Sequence, residues 1–180
     1  VAIVLAAVVA VNWPLGLVDG DGRMEERVKM AETHASAGRV AEAEDWLARS
    51  APIYPYPEAA NRRVAEGFAL AAREATRRKQ LDVALDLFQR AARLAPSDLG
   101  VRDQLGLALL LATRLDEAKT AFNAVVAGDP ANADAWAHLA YIAVQQRDLA
   151  MARHYAGRAL AITPTHPLAS QVLAAIGPPQ

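Results

Sequence analysis

The chain has 180 residues, a length typical of one domain with or without a short appendage. Its net charge of −1 provides no global field that would favour nucleic acid, and the lack of cysteine excludes disulfides, thiolate metal sites and cysteine nucleophiles. Apolar residues make up 53% of the chain and aromatic residues only 6%, and alanine, a strong helix former, is abundant among the apolar ones. This composition predicts an all-α fold.

The first predicted element is an apolar segment. Residues 1–11 contain no polar side chain, and Asn12, Trp13 and Pro14 follow. Because proline disfavours continuation of a helix, a helix ending at Trp13 would be about 20 Å long, whereas a bilayer core measures about 30 Å. We interpret residues 1–18 as the C-terminal part of a transmembrane helix, with Trp13 at the interface, and residues 19–23 as a polar linker. A truncated signal sequence and a helix of a soluble protein remain as alternatives.

Further along the chain, a phrase recurs every 34 residues and closes on Pro96, Pro130 and Pro164. A fourth copy ends at Pro55, with seven extra residues before the next copy. Small residues that let two helices approach closely share one column, which contains Ala43, Ala84, Ala118 and Ala152. Since proline ends a helix and one hairpin cannot bury its own apolar face, the pattern predicts stacked helical hairpins.

The period of 34, the small residue in each first helix, the shared alanine and the closing proline resemble tetratricopeptide repeats. Trp136, Leu139 and Ala140 match the family's W-x-x-L-G opening with alanine for glycine, whereas Arg102 and Arg27 replace the usual aromatic residue. The resemblance implies a right-handed α-solenoid of about four hairpins, the first of them degenerate. The predicted units are residues 24–57, 65–98, 99–132 and 133–166, with residues 58–64 as an extension of the helix that begins the second unit.

A short helix is predicted after the last unit. Pro167 suits a first helical turn, Leu168, Val172 and Ile176 share one face, and Gly177 is a stop signal. We expect residues 167–177 to form a capping helix over the apolar end of the last hairpin.

No motif for chemistry is present. The four histidines lack metal-site spacing, and the sequence DGDGR at residues 19–23 fails as a calcium loop because Met30 occupies its twelfth position. No nucleophile elbow, phosphate-binding loop or pair of catalytic carboxylates occurs. We therefore predict no catalytic residue, cofactor, metal, small-molecule substrate or nucleic-acid partner.

The family resemblance implies that the first helices line a concave groove. We predict that this groove binds a protein or peptide segment with some acidic character, through Arg73, Arg77, Asp103, Leu107, Leu110, Tyr141 and Val144. The alternatives are that these side chains only pack between neighbouring first helices, or that the groove is empty. The lysine and asparagine that clamp a C-terminal carboxylate in the family are replaced at their positions by Ala69/Arg73, Asp103/Leu107 and Ala137/Tyr141. A second basic set is interpreted as a solvated helix face or a surface near anionic lipid headgroups, and comprises Arg62, Arg63, Arg77, Arg78 and Lys79.

The predicted function is a non-catalytic interaction scaffold tethered to a bacterial inner membrane, with the repeats on the periplasmic side. A repeat tail after the phrase NWPL at residues 12–15 also resembles the C-terminal tail of some bacterial polytopic membrane glycosyltransferases, which would place catalysis upstream of this chain. A secreted or periplasmic repeat protein is the third possibility.

Overall fold

A computed structural model of the chain describes residues 23–50 and 57–177, and within these ranges every regular element is a helix. The all-α prediction is therefore confirmed for the described residues. The helices are α1 (Arg23–Ser36), α2 (Val40–Ser50), α3 (Pro57–Arg77), α4 (Leu81–Leu94), α5 (Leu99–Leu111), α6 (Leu115–Gly128), α7 (Ala133–Gln145), α8 (Leu149–Ile162) and α9 (Pro167–Ile176).

Successive helices pair as hairpins, namely α1 with α2, α3 with α4, α5 with α6 and α7 with α8. From the second hairpin onwards, the second helix of each hairpin also packs on the next first helix, so that α4 packs on α5 and α6 on α7. α9 takes the same place after α8 and also contacts α7, so it covers the end of the last hairpin. The hairpins thus form one continuous stack, as a solenoid requires.

The first hairpin docks differently from the others, because α1 packs closely on α3 whereas α2 barely touches it. Gly67 of α3 makes this contact possible: a Cβ atom at Gly67 would lie 2.9 Å from both Ala35 Cβ and the Glu32 carbonyl oxygen. The different docking coincides with the longer interval between the first two units and with the 21-residue length of α3.

The turn inside each hairpin uses one residue with a left-handed backbone: Gly38, Lys79, Thr113 or Arg147, with φ between 58° and 70°. The amide of the following residue then bonds back across the helix end, as in Arg114 N to Leu109 O at 2.9 Å. This is the hydrogen bond of a Schellman motif, which satisfies a carbonyl left open at the helix C-terminus.

The core confirms the predicted register of small residues. The shared column of alanines, Ala43, Ala84, Ala118 and Ala152, is fully buried. In the first helices, the column Ala31, Ala72, Gly106 and Ala140 is buried as well. Small side chains therefore lie where the two helices of a hairpin meet.

The C-terminal helix begins at Pro167 and is capped by His166, whose Nδ1 accepts a hydrogen bond from the Ala169 amide at 3.3 Å. Ala169 and Val172 are buried against the last hairpin. Gly177 follows the helix with a φ of 67°, which glycine adopts readily.

None of the helices within residues 23–50 and 57–177 is both long and apolar enough to cross a lipid bilayer. The predicted membrane segment, residues 1–18, and most of the predicted linker lie outside the described residues. The division of the chain into units at residues 24–57, 65–98, 99–132 and 133–166 stays a prediction.

Candidate binding groove

The first helices α3, α5 and α7 present equivalent positions to one side of the stack. Arg73, Leu107 and Tyr141 occupy the same position in three successive units, because they are 34 residues apart. All three are exposed, and the leucine and the tyrosine retain 36% and 38% of their accessible surface. Large apolar side chains such as Leu70 and Val83 are exposed elsewhere on the chain too, so exposure by itself does not mark a partner surface.

An open cavity of about 340 Å³ lies between α3 and α5. Its lining residues are Arg73, Thr76, Arg77, Phe88, Gln104, Leu107, Ala108 and Leu111. The structure thus brings three of the predicted groove residues together, namely Arg73, Arg77 and Leu107. The two arginines come from α3 and the aliphatic wall comes from α5.

The two arginines keep donors available for a ligand. Arg73 donates one hydrogen bond from NH1 to Gln104 Oε1 at 2.9 Å, and Arg77 pairs with Glu74 at 3.3 Å. A guanidinium carries five N–H donors, and the Arg77 side chain remains 71% exposed. The cavity can therefore hold a carboxylate beside an aliphatic side chain.

Leu111 and Gln104 were missed from the sequence. Leu111 is 59% exposed and lines the cavity, whereas the predicted Leu110 is half-buried against the main core. Two signals pointed to Leu111: it is four residues after Leu107, and it is equivalent to Arg77 in the previous unit.

Two of the predicted groove residues, Leu110 and Val144, are half-buried and do not line this cavity. Val144 is half-buried against the core of the last hairpin, as Leu110 is against the main core. Tyr141 is exposed on α7 but does not line the cavity between α3 and α5.

A family model described as a tetratricopeptide repeat matches residues 104–167. Residues 104–167, about a third of the chain, are therefore similar in sequence to tetratricopeptide repeats. Searches of curated protein sequences give no match.

Solved tetratricopeptide-repeat (TPR) structures share the fold. YrrB, described as a TPR protein with an unusual peptide-binding site, is 23% identical, with a TM-score of 0.58 and 86% of each chain covered. The first TPR domain of Spaghetti (RPAP3), bound to an HSP90 peptide, is 17% identical, with a TM-score of 0.60, and covers 62% of this chain and 89% of its own. The Arabidopsis OM64 TPR domain is 16% identical, with a TM-score of 0.62 and coverage of 64% and 96%.

Asp103 differs in polarity from the residues at the same position of the neighbouring units. The equivalent residues in the neighbouring units are Ala69 and Ala137, which are buried. Asp103 is half-buried, and its Oδ1 atom has no hydrogen-bond partner within residues 23–50 and 57–177. Burial raises the pKa of this carboxyl, and the charge of Asp134 raises it further.

Asp134 also anchors the capping helix. The His166 Nε2 atom lies 2.9 Å from Asp134 Oδ1, and His166 itself is 7% exposed. His138 stacks on Phe122 with 4.8 Å between ring centroids, and burial lowers the pKa of this imidazole. We find no group of three or more potential metal ligands in the part of the chain that the structure describes. His166 holds α9 against α7 through Asp134, and His138 packs α7 against α6 through Phe122.

Proposed function

We propose that the chain is a non-catalytic scaffold that binds a protein segment in the groove formed by its first helices. The observation that carries the proposal is the cavity between α3 and α5, which places Arg73 and Arg77 opposite Leu107 and Leu111. The peptide in the RPAP3 structure and the peptide-binding site named for YrrB support this use of the fold.

The chemistry of the cavity defines the segment. Arginine pairs with carboxylates through two parallel hydrogen bonds, so Arg73 and Arg77 favour an aspartate or glutamate. The exposed leucines favour an aliphatic side chain next to that acid. The segment need not end in a free carboxylate, because Ala69 and Leu107 stand where the family's clamp has polar residues.

A peptide-display selection against the full chain tests this specificity. We expect enriched peptides to carry Asp or Glu beside Leu, Ile or Val. Binding of a selected peptide should weaken at least about tenfold in Arg73→Gln/Arg77→Gln, which corresponds to about 1.4 kcal/mol. The matched control is Arg78→Gln/Arg114→Gln, which removes two exposed arginines that pair with Glu74 and Glu117. Equal losses in both double variants would show that net charge, and not this cavity, attracts the peptide.

We also propose that residues 1–18 tether the repeats to a bacterial inner membrane, with the repeats on the periplasmic side. Support comes from the uninterrupted apolar run before Trp13 and Pro14. The test compares residues 1–180 with residues 19–180 for extraction from membranes. If both proteins are equally soluble without detergent, the tether proposal fails.

A second candidate is that the repeats form the tail of a larger membrane glycosyltransferase. The phrase NWPL at residues 12–15, followed by repeats, favours it. The genomic sequence upstream of Val1 distinguishes the two candidates. Several apolar spans with acidic loop residues would support the enzyme, whereas a nearby methionine and basic residues would support a single anchor or a signal sequence.

A further inference from the structure

A second charged cavity, of about 350 Å³, lies where the start of α3 faces the end of α4 and the turn that leads to α5. Its lining residues are Glu58, Asn61, Arg62, Arg93, Leu94, Ala95, Pro96 and Ser97. The cavity depends on the length of α3, because Glu58, Asn61 and Arg62 belong to the part of this 21-residue helix that precedes the predicted second unit. The other helices that begin a predicted unit are shorter, since α1 has 14 residues and α5 and α7 have 13 each.

Of the arginines in the predicted basic set, the structure pairs Arg63, Arg77 and Arg78 with carboxylates. Arg63 bonds to Glu25 and to Glu32, the latter at 2.7 Å, and so joins α3 to α1. Arg77 and Arg78 both pair with Glu74. These three guanidinium groups already have carboxylate partners.

Arg62 and Arg93 differ from them, because neither forms an ion pair or a side-chain hydrogen bond within residues 23–50 and 57–177. Both are exposed and line the same cavity. Among the described residues that line the cavity, Glu58 is the single carboxylate beside two arginines. Two unpaired cations around one concave surface attract an anion.

We propose that this cavity binds a phosphate group. Arg62 and Arg93 would each present parallel N–H donors to the phosphate oxygens, and the Asn61 amide and the Ser97 hydroxyl supply neutral donors. A phosphate monoester fits better than a carboxylate because it carries up to two negative charges and three terminal oxygens. A soluble phosphorylated ligand offers this dianion, whereas the phosphodiester of a phospholipid headgroup offers the same kind of oxygen acceptors with a single charge.

The phosphate site is separate from the groove. Arg62 precedes Arg73 by eleven residues on α3, which corresponds to about 16 Å along a helix axis. None of the residues that the structure describes lines both cavities. A partner segment and a phosphate group can therefore bind to the chain independently.

Titration of the full chain with inorganic phosphate tests the site, with NMR detection of amide shifts and ionic strength held constant with sodium chloride. We expect saturable shifts at Ser97, at the Asn61 side chain and at the Nε–H groups of Arg62 and Arg93. The variant Arg62→Gln/Arg93→Gln should lose at least tenfold in affinity. The control Arg78→Gln/Arg114→Gln removes the same charge elsewhere and should bind phosphate like the unmodified chain. Absence of saturation up to roughly 20 mM phosphate, or equal affinity in both variants, would overturn the proposal.

Flotation with vesicles identifies the source of the phosphate. If it is a lipid headgroup, vesicles containing phosphatidylglycerol should retain the unmodified chain better than Arg62→Gln/Arg93→Gln, and pure phosphatidylcholine vesicles should not separate them. Equal retention on both lipids, with saturable binding of inorganic phosphate, assigns a soluble ligand. The unmodified chain and Arg62→Gln/Arg93→Gln both contain residues 1–18. If these residues do not bind membranes, the retention of both proteins on vesicles falls by the same amount, and the binding of inorganic phosphate does not change.

Discussion

Gly106 of α5 lies against the ring of Phe122 in α6, so closely that a Cβ atom at Gly106 would be 2.7 Å from Phe122 Cζ. Phe122 is fully buried, and the ring of His138 in α7 also stacks on it. The phenylalanine therefore has little room to move when α5 acquires a side chain at this position. This contact joins three successive helices of the stack.

Gly106→Ala should destabilise the chain by about 2 kcal/mol, because the clash outweighs the better helix propensity of alanine. Gly157→Ala is the matched control on α8, where no side chain or neighbouring helix in the described part of the chain lies within 4 Å of an added Cβ. The control should gain about 0.5–1 kcal/mol. Urea unfolding measures both changes, and a gain for Gly106→Ala would contradict the contact.

Ala118→Leu should cost about 1–3 kcal/mol, because Ala118 is fully buried in α6 and a larger side chain overpacks the helix contact. Ala127→Leu changes the same residue type in the same helix at an exposed position and should cost less than about 0.5 kcal/mol. Thermal unfolding compares the two variants. Equal melting temperatures would show that the small-residue column does not mark the closest helix contact.

Thr113→Gly should stabilise the chain by about 1 kcal/mol. Thr113 has a φ of 58° in the turn between α5 and α6, a conformation that costs a β-branched residue about 1–2 kcal/mol. Thr120→Gly makes the same replacement at an exposed position inside α6 and should destabilise by about 0.3 kcal/mol, the difference between the helix propensities of threonine and glycine. Chemical denaturation distinguishes the two effects by their opposite signs.

Asp103→Asn should raise stability at pH 7 by on the order of 1 kcal/mol, because it removes a half-buried charge with an unpaired oxygen. The pKa of Asp103 is raised in the folded state, so folding favours its protonated form and the penalty fades as the pH falls towards the ordinary value of 3.8. The advantage of the variant should therefore shrink between pH 7 and pH 4. Asp82→Asn, at an exposed position in the first turn of α4, is the control. A gain at Asp103 that does not depend on pH would contradict the charge argument.

The sequence predicted the hairpins well because their determinants are local and periodic. The prolines, the alanine columns and the turn residues recur in register, and each acts within one hairpin. The position of the groove was predicted only in part. In a helix with 100° per residue, Leu110 and Leu111 lie on either side of the direction in which Leu107 points. The packing of the neighbouring helices decides which of these two leucines stays exposed.

The ion pair that Arg63 forms could not be predicted, because it depends on how the first hairpin packs on α3. Arg63 pairs with two acidic residues of α1 because α1, rather than α2, packs on α3. The long interval between Pro55 and Pro96 breaks the repeat at that place, so the regular pattern could not predict this docking. The unpaired state of Arg62 and Arg93 could not be predicted either, because it depends on which acidic side chains the folded chain brings within reach.

The affinity of one selected acidic–aliphatic peptide for two aspartate variants tests the central claim most directly. Leu107→Asp places a charge in the groove on α5, whereas Val83→Asp places the same charge at a 51% exposed valine on α4, a second helix of its hairpin. Thermal unfolding must first show that both variants are folded. The groove account predicts at least about tenfold weaker binding for Leu107→Asp and an unchanged affinity for Val83→Asp. Unchanged binding by Leu107→Asp, or an equal loss in Val83→Asp, would contradict it.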